Sequence, residues 1–474
     1  MKTSIRSLPG LLLSLCMLAS CSDHAERITI HWAVAEKYQS LSTEIAQGFM
    51  DVNPHIVVDI IPMPPELTNI ETDPVPFLAK AGIDMFTLSG EQAHWLNTYR
   101  ELLLMADNQL TINKNDFFHT IVNFCSYDPH TFSAAPWLVD TSALFMNTSI
   151  IDDIQLSPPK TWDELVQTVE QGKKTNKGIQ GVLMHDASDF ALAQLFTETV
   201  WSHGLDIMTV DNHALLYLPQ IIQILENWRT YLKKSVFPKD ILKRKETDSL
   251  KSFLDNKSLF YYGRVSEWPY IQEHSNTPIQ SFTMDAIPGF NSYPTASILY
   301  PTVLAGYAHT IHPQEVIDII NFCISPESQQ VVLMNDFIPS MIKVFEDTEI
   351  IEYKPGFENI PTIIQSARVF PYDRLNHKIM RVLEANLINI FTKNLDIDSA
   401  IFSLNNTISN LPSTPVINAY PPKKTLKKQY KLKKEPVNKT LIPHTTNYKE
   451  TISTHTSQAL PESTSSHINI NKEE

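Results

Sequence analysis

The chain has 474 residues, of which 43% are hydrophobic and 19% are charged, and its formal net charge is -14. This composition allows one large hydrophobic core or two medium ones, and its acidity gives no basis for nucleic-acid binding. No apolar run after the first twenty residues is long enough to cross a membrane, and only 12 glycines argue against phosphate-binding loops.

The N-terminus has the pattern of an export signal. Basic residues precede an apolar run that ends in Leu18-Ala19-Ser20-Cys21 and is too short to span a bilayer. We therefore expect residues 1–20 to be a signal peptide and residues 21–26 a spacer. The motif resembles a bacterial lipobox, which would make Cys21 the diacylated first residue of an extracytoplasmic protein anchored to a bacterial membrane. The alternative is an ordinary signal peptide with a chance cysteine.

Alternating strand and helix patterns follow the spacer. Strand composition over Ile28–Val34, helical spacing over Leu41–Met50 and a second strand over Ile56–Ile61 predict a parallel strand pair with a right-handed crossover. A third strand is predicted over Ile83–Leu88, and Ala93–Met105 has a helical pattern. The segment therefore begins an α/β layered lobe, where ligands bind beyond the carboxyl ends of the strands.

Two later helices have clear start signals. Thr161 and Glu164 form a capping box after two prolines, and Ser325 is a good N-cap before Pro326. These residues predict structure, and they carry no chemistry of their own.

The C-terminal segment 412–474 differs in composition from the rest of the chain. It is rich in Lys, Pro, Ser and Thr and has few large apolar residues, so it cannot offset its chain entropy by burial. We expect a disordered tail. The functional alternative is a basic arm that contacts anionic lipid or cell-wall polymer.

No catalytic or metal-binding motif is present in the sequence. The chain has no GxSxG, HExxH, P-loop or Rossmann glycine pattern, so we expect no enzyme activity, no metal and no cofactor. Cys125 and Cys323 lie outside any CxxC or Cys/His spacing, which favours two small buried side chains and leaves their pairing open.

Four segments together resemble one protein family. They are Ala135–Asn147 with Pro136, Asp140 and Asn147, the run Pro158–Leu165, the run Phe49–Val57, and Ser325–Gln329. On these residues the chain resembles the family 1 extracellular solute-binding proteins of ABC transporters, the maltodextrin-binding-protein-like lipoproteins, over residues 27 to 411. It departs from the family pattern at Met146, where tyrosine is usual, and at Gly263-Arg264-Val265, which replaces a G-x-W motif.

The resemblance implies an α/β, two-lobe periplasmic-binding-protein fold of type 2, in which each lobe is a layered sheet with flanking helices and crossovers join the lobes. Lobe 1 would comprise residues 27–139 plus 288–341, and lobe 2 residues 140–287 plus 342–411. The implied role is the substrate-binding subunit of an importer that binds a small molecule, a sugar or oligosaccharide, and meets ABC permease and ATPase subunits.

Carboxylates, amides and aromatic rings at the matching positions suit a carbohydrate site. The ligand-binding residues that the resemblance implies are Glu36, Lys37, Glu91, Gln92, Asp140, Glu267, Trp268, Phe370 and Tyr372. Each could instead be a solvated turn residue or a packed core residue. A polyamine or another small cation is an alternative ligand, because carboxylates and aromatic rings also bind cations. A degenerate family member that acts as a surface or adhesion lipoprotein is the alternative from another class.

Overall fold

The computed structural model describes residues 27–68, 73–184, 190–209, 213–244, 246–275, 277–290, 295–370 and 376–411. The predicted signal peptide, the spacer with Cys21, Tyr372 and the predicted tail lie outside the described residues.

The strands are β1 Ile28–Val34, β2 Ile56–Pro62, β3 Met85–Ser89, β4 Met105–Ala106, β5 Ser126–Asp128, β6 Thr131–Phe132, β7 Ala135–Asn147, β8 Gln180–Met184, β9 Ser258–Arg264, β10 Phe282–Asp285, β11 Ile298–Gly306 and β12 Arg368–Val369. The helices are α1 Gln39–Val52, α2 Val75–Ala81, α3 Gly90–Thr98, α4 His119–Cys125, α5 Thr148–Asp153, α6 Trp162–Thr175, α7 Ala191–Trp201, α8 Pro219–Lys233, α9 Glu246–Leu254, α10 Trp268–His274, α11 Pro313–Cys323, α12 Pro326–Met334, α13 Thr348–Glu352, α14 Ile360–Gln365, α15 Asn376–Thr392 and α16 Ile397–Ser409.

Nine strands form one connected sheet system in the order β2-β1-β3-β11-β7-β9-β8, with β10 paired to β7 and β12 to β11. Strand β1 is parallel to β2 and to β3, which confirms the predicted parallel pair joined by α1. Strand β11 is antiparallel to both of its long neighbours, β3 and β7. Strands β4, β6 and β5 form a small separate sheet.

The 13-residue strand β7 divides the system into two parts. Its residues 135–141 pair with β11, whereas residues 142–147 pair with β9 on one side and β10 on the other. Sheet 1 is therefore β2-β1-β3-β11 with the first half of β7, and sheet 2 is β10, the second half of β7, β9 and β8. The exchange of partners falls between Thr141 and Ser142.

Local sequence signals explain several element ends. The Thr161 hydroxyl accepts from the Glu164 N–H, and the Glu164 carboxylate accepts from the Thr161 N–H, so the predicted capping box of α6 is confirmed. The Ser325 hydroxyl accepts from the Ser328 N–H, as expected of an N-cap.

The predicted helix over Ala93–Met105 is wrong in its second half. Helix α3 ends at Thr98, and Arg100 follows with φ 59°, the left-handed conformation that ends a helix. The Glu101 N–H donates to the Leu96 carbonyl across this turn, and Met105 begins strand β4 instead. The helical spacing gave no warning, because glycine normally occupies such a position and here it is arginine.

The core contains both cysteines and several tryptophans. Trp32 is fully buried and Trp162 is 3% exposed, so both indole rings are packed in the core. Cys125 and Cys323 are unpaired and buried, and burial raises the pKa of both thiols. Both therefore behave as small apolar side chains.

Candidate binding cleft

Four polar side chains meet on one face where β7 passes from sheet 1 to sheet 2. Tyr300 of β11 lies directly opposite Asp140, and Arg264 of β9 lies directly opposite Ser142. Because cross-strand partners point to the same side and alternate residues share a face, these four side chains form one surface. The guanidinium carbon of Arg264 lies 3.8 Å from the centroid of the Tyr300 ring. We call these four residues the cleft floor.

Asp140 is held by the segment that follows β9. Its Oδ2 accepts from the Ser266 hydroxyl at 2.7 Å, and its Oδ1 accepts from the backbone N–H groups of Ser266 and Thr141 at 3.2 and 2.9 Å. Asp140 remains partly exposed, and Ser266 is exposed. A carboxylate has about four lone-pair sites, so Asp140 retains acceptor capacity for a ligand hydroxyl.

A buried polar cluster adjoins the cleft floor at Ser142. The Tyr262 hydroxyl lies 3.2 Å from the Ser142 hydroxyl and donates to Glu198 Oε2 at 2.8 Å. Glu198 Oε1 accepts from the backbone N–H of Ile298 at 2.7 Å. Burial raises the pKa of Glu198 to about 7, and the hydrogen bonds from Ile298, Ser142 and Tyr262 and the charge of Arg264 oppose this rise. Burial likewise raises the pKa of Tyr300.

The residues after β1 extend the floor within sheet 1. The Tyr38 hydroxyl lies 3.0 Å from Thr302 Oγ1, and Thr302 is two residues from Tyr300 on β11 and on the same face. The ammonium of Lys37 lies 4.7 Å from the centroid of the Tyr38 ring. Glu36 and Lys37 are exposed. Lys37 therefore lies beside an aromatic side chain that contacts β11, and Glu36 precedes that aromatic residue by two positions in the chain.

The two predicted binding residues after β3, Glu91 and Gln92, have different surroundings. Gln92 completes a capping box, because its Oε1 accepts from the Ser89 N–H and its Nε2 donates to the Leu67 carbonyl. Glu91 lies in the first turn of α3 and is partly buried, and burial raises its pKa. Ser89 itself pairs with Thr302 of β11, so the start of α3 adjoins the floor.

The predicted residues of sheet 2 make contacts within the protein. Glu267 accepts from the Tyr261 hydroxyl at 2.6 Å and from the Arg264 N–H at 2.9 Å. Trp268 is 2% exposed, and its indole N–H donates to the Pro355 carbonyl.

Phe370 is 6% exposed and lies 6.1 Å from the Trp201 ring, centroid to centroid. Contact of a ligand with Glu267, Trp268 or Phe370 stays a prediction. The predicted ligand contact Tyr372 lies outside the described residues.

Sequence reasoning did not assign Tyr38, Arg264, Ser266 or Tyr300 to the site. Arg264 was noted only as a departure from a motif. The available signal was period-two alternation within β9 and β11, which predicts the face of each residue and leaves its partner strand unknown.

The described part of the chain contains no group of three or more His, Cys, Asp and Glu side chains placed to hold a metal ion. None of its helices combines the length and apolar character needed to cross a bilayer.

The chain matches a family model described as bacterial extracellular solute-binding protein over residues 79–359. This match covers more than half of the chain. The protein belongs to this family.

Solved structures resemble this solute-binding protein over about the same part of the chain. Maltose-bound MalE3 of T. maritima has 19% identity and a TM-score of 0.67, covering 80% of this chain and 99% of that one. The sugar-binding protein MalE of Xanthomonas citri has 16% identity and a TM-score of 0.71, covering 80% and 96%. An ABC substrate-binding protein of Listeria monocytogenes, in complex with cycloalternan, has 12% identity and a TM-score of 0.63, covering 81% and 98%.

These likenesses confirm the predicted fold, an α/β, two-lobe binding-protein fold with layered sheets and helices. Apart from Asp140 and Thr141, sheet 1, which does not include β12, falls within the residues predicted for lobe 1, and sheet 2 falls within those predicted for lobe 2. The family and the fold are those of solute-binding proteins and not those of enzymes. The residue boundaries predicted for the lobes stay predictions, and the exchange of partners on β7 lies two residues from the predicted boundary at Asp140.

Proposed function

We propose that this protein is the substrate-binding subunit of an ABC importer and that it binds a sugar or oligosaccharide between its two lobes. The observation that carries the proposal is the cleft floor, where Asp140, Ser142, Arg264 and Tyr300 share one face at the strand common to both sheets. Ligands that join two lobes bind at such a crossing, because closure of the lobes then encloses them.

The chemistry of the floor suits sugar hydroxyl groups. Asp140 supplies carboxylate oxygens that accept hydrogen bonds, and Arg264 supplies directional N–H donors. The planar Arg264 guanidinium over the Tyr300 ring adds a flat surface with apolar area at its edges. Glu36, Lys37 and Glu91 extend these donor and acceptor groups into lobe 1. Proteins of the same fold were crystallised with maltose and with cycloalternan, which supports an oligosaccharide as ligand.

The position of Arg264 favours a sugar over a polyamine. A polyamine needs carboxylates without a competing cation, whereas the Arg264 guanidinium lies on the aromatic ring that would otherwise receive an ammonium group. Lys37 places a second cation beside Tyr38. Two fixed positive charges at the aromatic rings would repel a polycation.

A membrane tether is the second part of the proposal. The order Leu18-Ala19-Ser20-Cys21 at the end of a short apolar run supports lipidation of Cys21 after removal of residues 1–20. Such an anchor would hold the binding subunit near the permease and ATPase subunits of the importer. It would also place the whole described fold outside the cytoplasm.

A thermal-shift screen tests the proposed ligand class. The purified protein is heated with maltose, maltotriose, cycloalternan, spermidine, amino acids or phosphate esters, one at a time. A ligand at about 100 times its Kd adds roughly 2.7 kcal/mol to the free energy of unfolding. We expect stabilisation by an oligosaccharide. Stabilisation by spermidine alone would replace the sugar with a polyamine, and a flat response to the whole panel would contradict ligand binding and favour the surface-lipoprotein alternative.

A further inference from the structure

Glu198 is a carboxylic acid in the interior of lobe 2, on a helix that is buried along its whole length. Every residue of α7 is buried, and the exposed fraction of Glu198 is 0%. No other residue of α7 carries a charge. Burial of an ionisable group costs free energy, so a carboxyl at this position needs specific partners. Its partners lie at the crossing between the two lobes.

The Glu198 carboxylate fixes the first residue of β11. Its Oε1 accepts from the Ile298 N–H at 2.7 Å, and the Ile298 carbonyl accepts from the Thr141 hydroxyl at 3.0 Å. The backbone N–H and the backbone carbonyl of Ile298 are thus both held by side chains, one from α7 and one from β7. Tyr300 lies two residues further along the same strand, so the position of the start of β11 determines the position of the Tyr300 ring in the cleft floor.

The second carboxylate oxygen reaches Arg264 through β9. Glu198 Oε2 accepts from the Tyr262 hydroxyl at 2.8 Å, and Tyr262 is two residues before Arg264 on the same face of β9. Arg264 also interacts electrostatically with Glu198. One carboxylate therefore connects the strands that carry the two stacked members of the floor.

Other titratable or charged groups lie around α7. The strands contribute Asp140 on β7, Tyr300 on β11, and Tyr262 and Arg264 on β9. Glu384 of α15 lies at the N-terminus of α7, Arg368 of β12 lies over the Trp201 ring, and His203 follows the C-terminus of α7. Among the described residues, the side-chain hydrogen-bond partners of Glu198 are Tyr262 and the neutral Ser142.

We propose that Glu198 is a proton-sensitive positioning residue of the cleft, which holds the Arg264 and Tyr300 pair in register most firmly when it is ionised. The inference rests on the proposed function, because the position of this pair matters to import only when the cleft binds a ligand. Glu198 itself does not contact the cleft ligand, and it acts through Tyr262 of β9 and Ile298 at the start of β11.

Protonation changes the hydrogen bonds in a defined way. The ionised carboxylate accepts charge-assisted bonds from Ile298, Tyr262 and Ser142. When Oε2 carries the proton, it donates to the Tyr262 oxygen, and the Tyr262 O–H turns to Ser142 Oγ, which is 3.2 Å away. The bond from Ile298 then ends on a neutral carbonyl oxygen and is about half as strong. Arg264 loses its buried counter-charge in the same step.

The raised pKa of about 7 places this change near neutral pH. The test is backbone amide hydrogen exchange of peptides that cover residues 296–304, corrected for the intrinsic dependence of exchange on pH. We expect protection of the Ile298 amide to be about tenfold greater at about pH 8.5 than at about pH 5.5. In Glu198→Gln the acceptor is neutral at every pH, so protection should match the low-pH value throughout.

Tyr262→Phe provides a second variant. It removes a donor that stabilises the ionised form, so the midpoint of the protection change should move to higher pH. Protection that does not vary with pH in the wild type, or that varies equally in Glu198→Gln, would overturn the inference. General loosening of the fold is distinguishable, because protonation of buried Glu198 raises global stability while it lowers protection at β11.

The exchange experiment needs no ligand, so its outcome is independent of the thermal-shift screen. If no ligand stabilises the protein but protection depends on pH, the proposed function is rejected and the role of Glu198 as a proton-sensitive positioning residue is retained. If a ligand stabilises the protein but protection does not depend on pH, the proposed function is retained and the role of Glu198 is rejected. With maltotriose as the probe, affinity in the wild type should fall about tenfold from about pH 8.5 to about pH 5.5, as the protection does, and should not depend on pH in Glu198→Gln.

Discussion

Ser266 donates both its backbone N–H and its hydroxyl to the carboxylate of Asp140, at 3.2 and 2.7 Å. The two residues lie on different sides of the crossing, since Asp140 is paired with sheet 1 and Ser266 follows the last residue of β9 in sheet 2. These two hydrogen bonds hold the Asp140 carboxylate, a candidate acceptor for a ligand, in a fixed position relative to both sheets. A ligand that bonds Asp140 would therefore contact the crossing itself.

Replacement of Gly356 should destabilise lobe 2. Gly356 has φ 92°, and a Cβ atom there would lie 2.4 Å from atoms of the Trp268 indole. We expect Gly356→Ala to lower the free energy of unfolding by about 2–4 kcal/mol, through backbone strain and overpacking together. Chemical denaturation measures this change.

Gly82→Ala is the matched control for backbone strain. Gly82 has φ 60°, and a Cβ atom there would meet nothing within 4 Å. The cost should be about 1 kcal/mol, the strain of a left-handed alanine alone. Equal effects of the two substitutions would show that Trp268 does not pack against Gly356.

Stability should fall as the pH rises through neutrality. Burial raises the pKa of both Glu198 and Glu384 from 4.5 to about 7. The folded state therefore binds more protons than the unfolded state between these values, and its extra stability is complete below pH 4.5 and lost above pH 7. Each group contributes roughly 3 kcal/mol to this loss.

Melting temperature as a function of pH measures the effect. Glu198→Gln and Glu384→Gln should each flatten the profile, whereas Glu352→Gln, at an exposed position, should leave it unchanged. A wild-type profile that rises from acid to neutral pH would mean that other groups dominate.

Lipidation is tested by Cys21→Ser. Serine cannot receive the thioether-linked lipid, so the variant should leave the membrane fraction and appear in the soluble extracytoplasmic fraction. Cys125→Ala is the control, because that thiol is buried in the fold and should have no part in anchoring. Retention of Cys21→Ser on membranes would refute the lipid anchor.

Local features of the fold were predictable from the sequence, and pairings were not. Strand Ile28–Val34 was predicted with its observed bounds, because a run of β-branched and apolar residues is typical of a strand. The capping box at Thr161 was also predictable, because its two partners lie only three residues apart in the chain. The end of helix α3 was predicted too late, because Arg100 adopts the left-handed conformation, which arginine rarely adopts.

The candidate site was only partly predictable. Asp140 was assigned from its place in a motif, and the structure adds that Tyr300 lies opposite it and that Arg264 covers the ring. These facts depend on which strands pair and in which register, and residues 36 to 160 positions apart in the chain give no local sign of the pairing. The partners of Glu198, 64 and 100 residues away, were likewise invisible.

The most direct test of the central claim is equilibrium binding of an oligosaccharide found by the screen, beginning with maltotriose, to the wild type, Asp140→Ala and Asp153→Ala. Asp153 is an exposed acid at the end of α5 and is not one of the cleft-floor residues. We expect Asp140→Ala to lose about 1–3 kcal/mol of binding free energy, roughly 5- to 150-fold in Kd, and Asp153→Ala to bind as the wild type does. Unchanged affinity in a folded Asp140→Ala protein would contradict a ligand site at the strand shared by the two lobes.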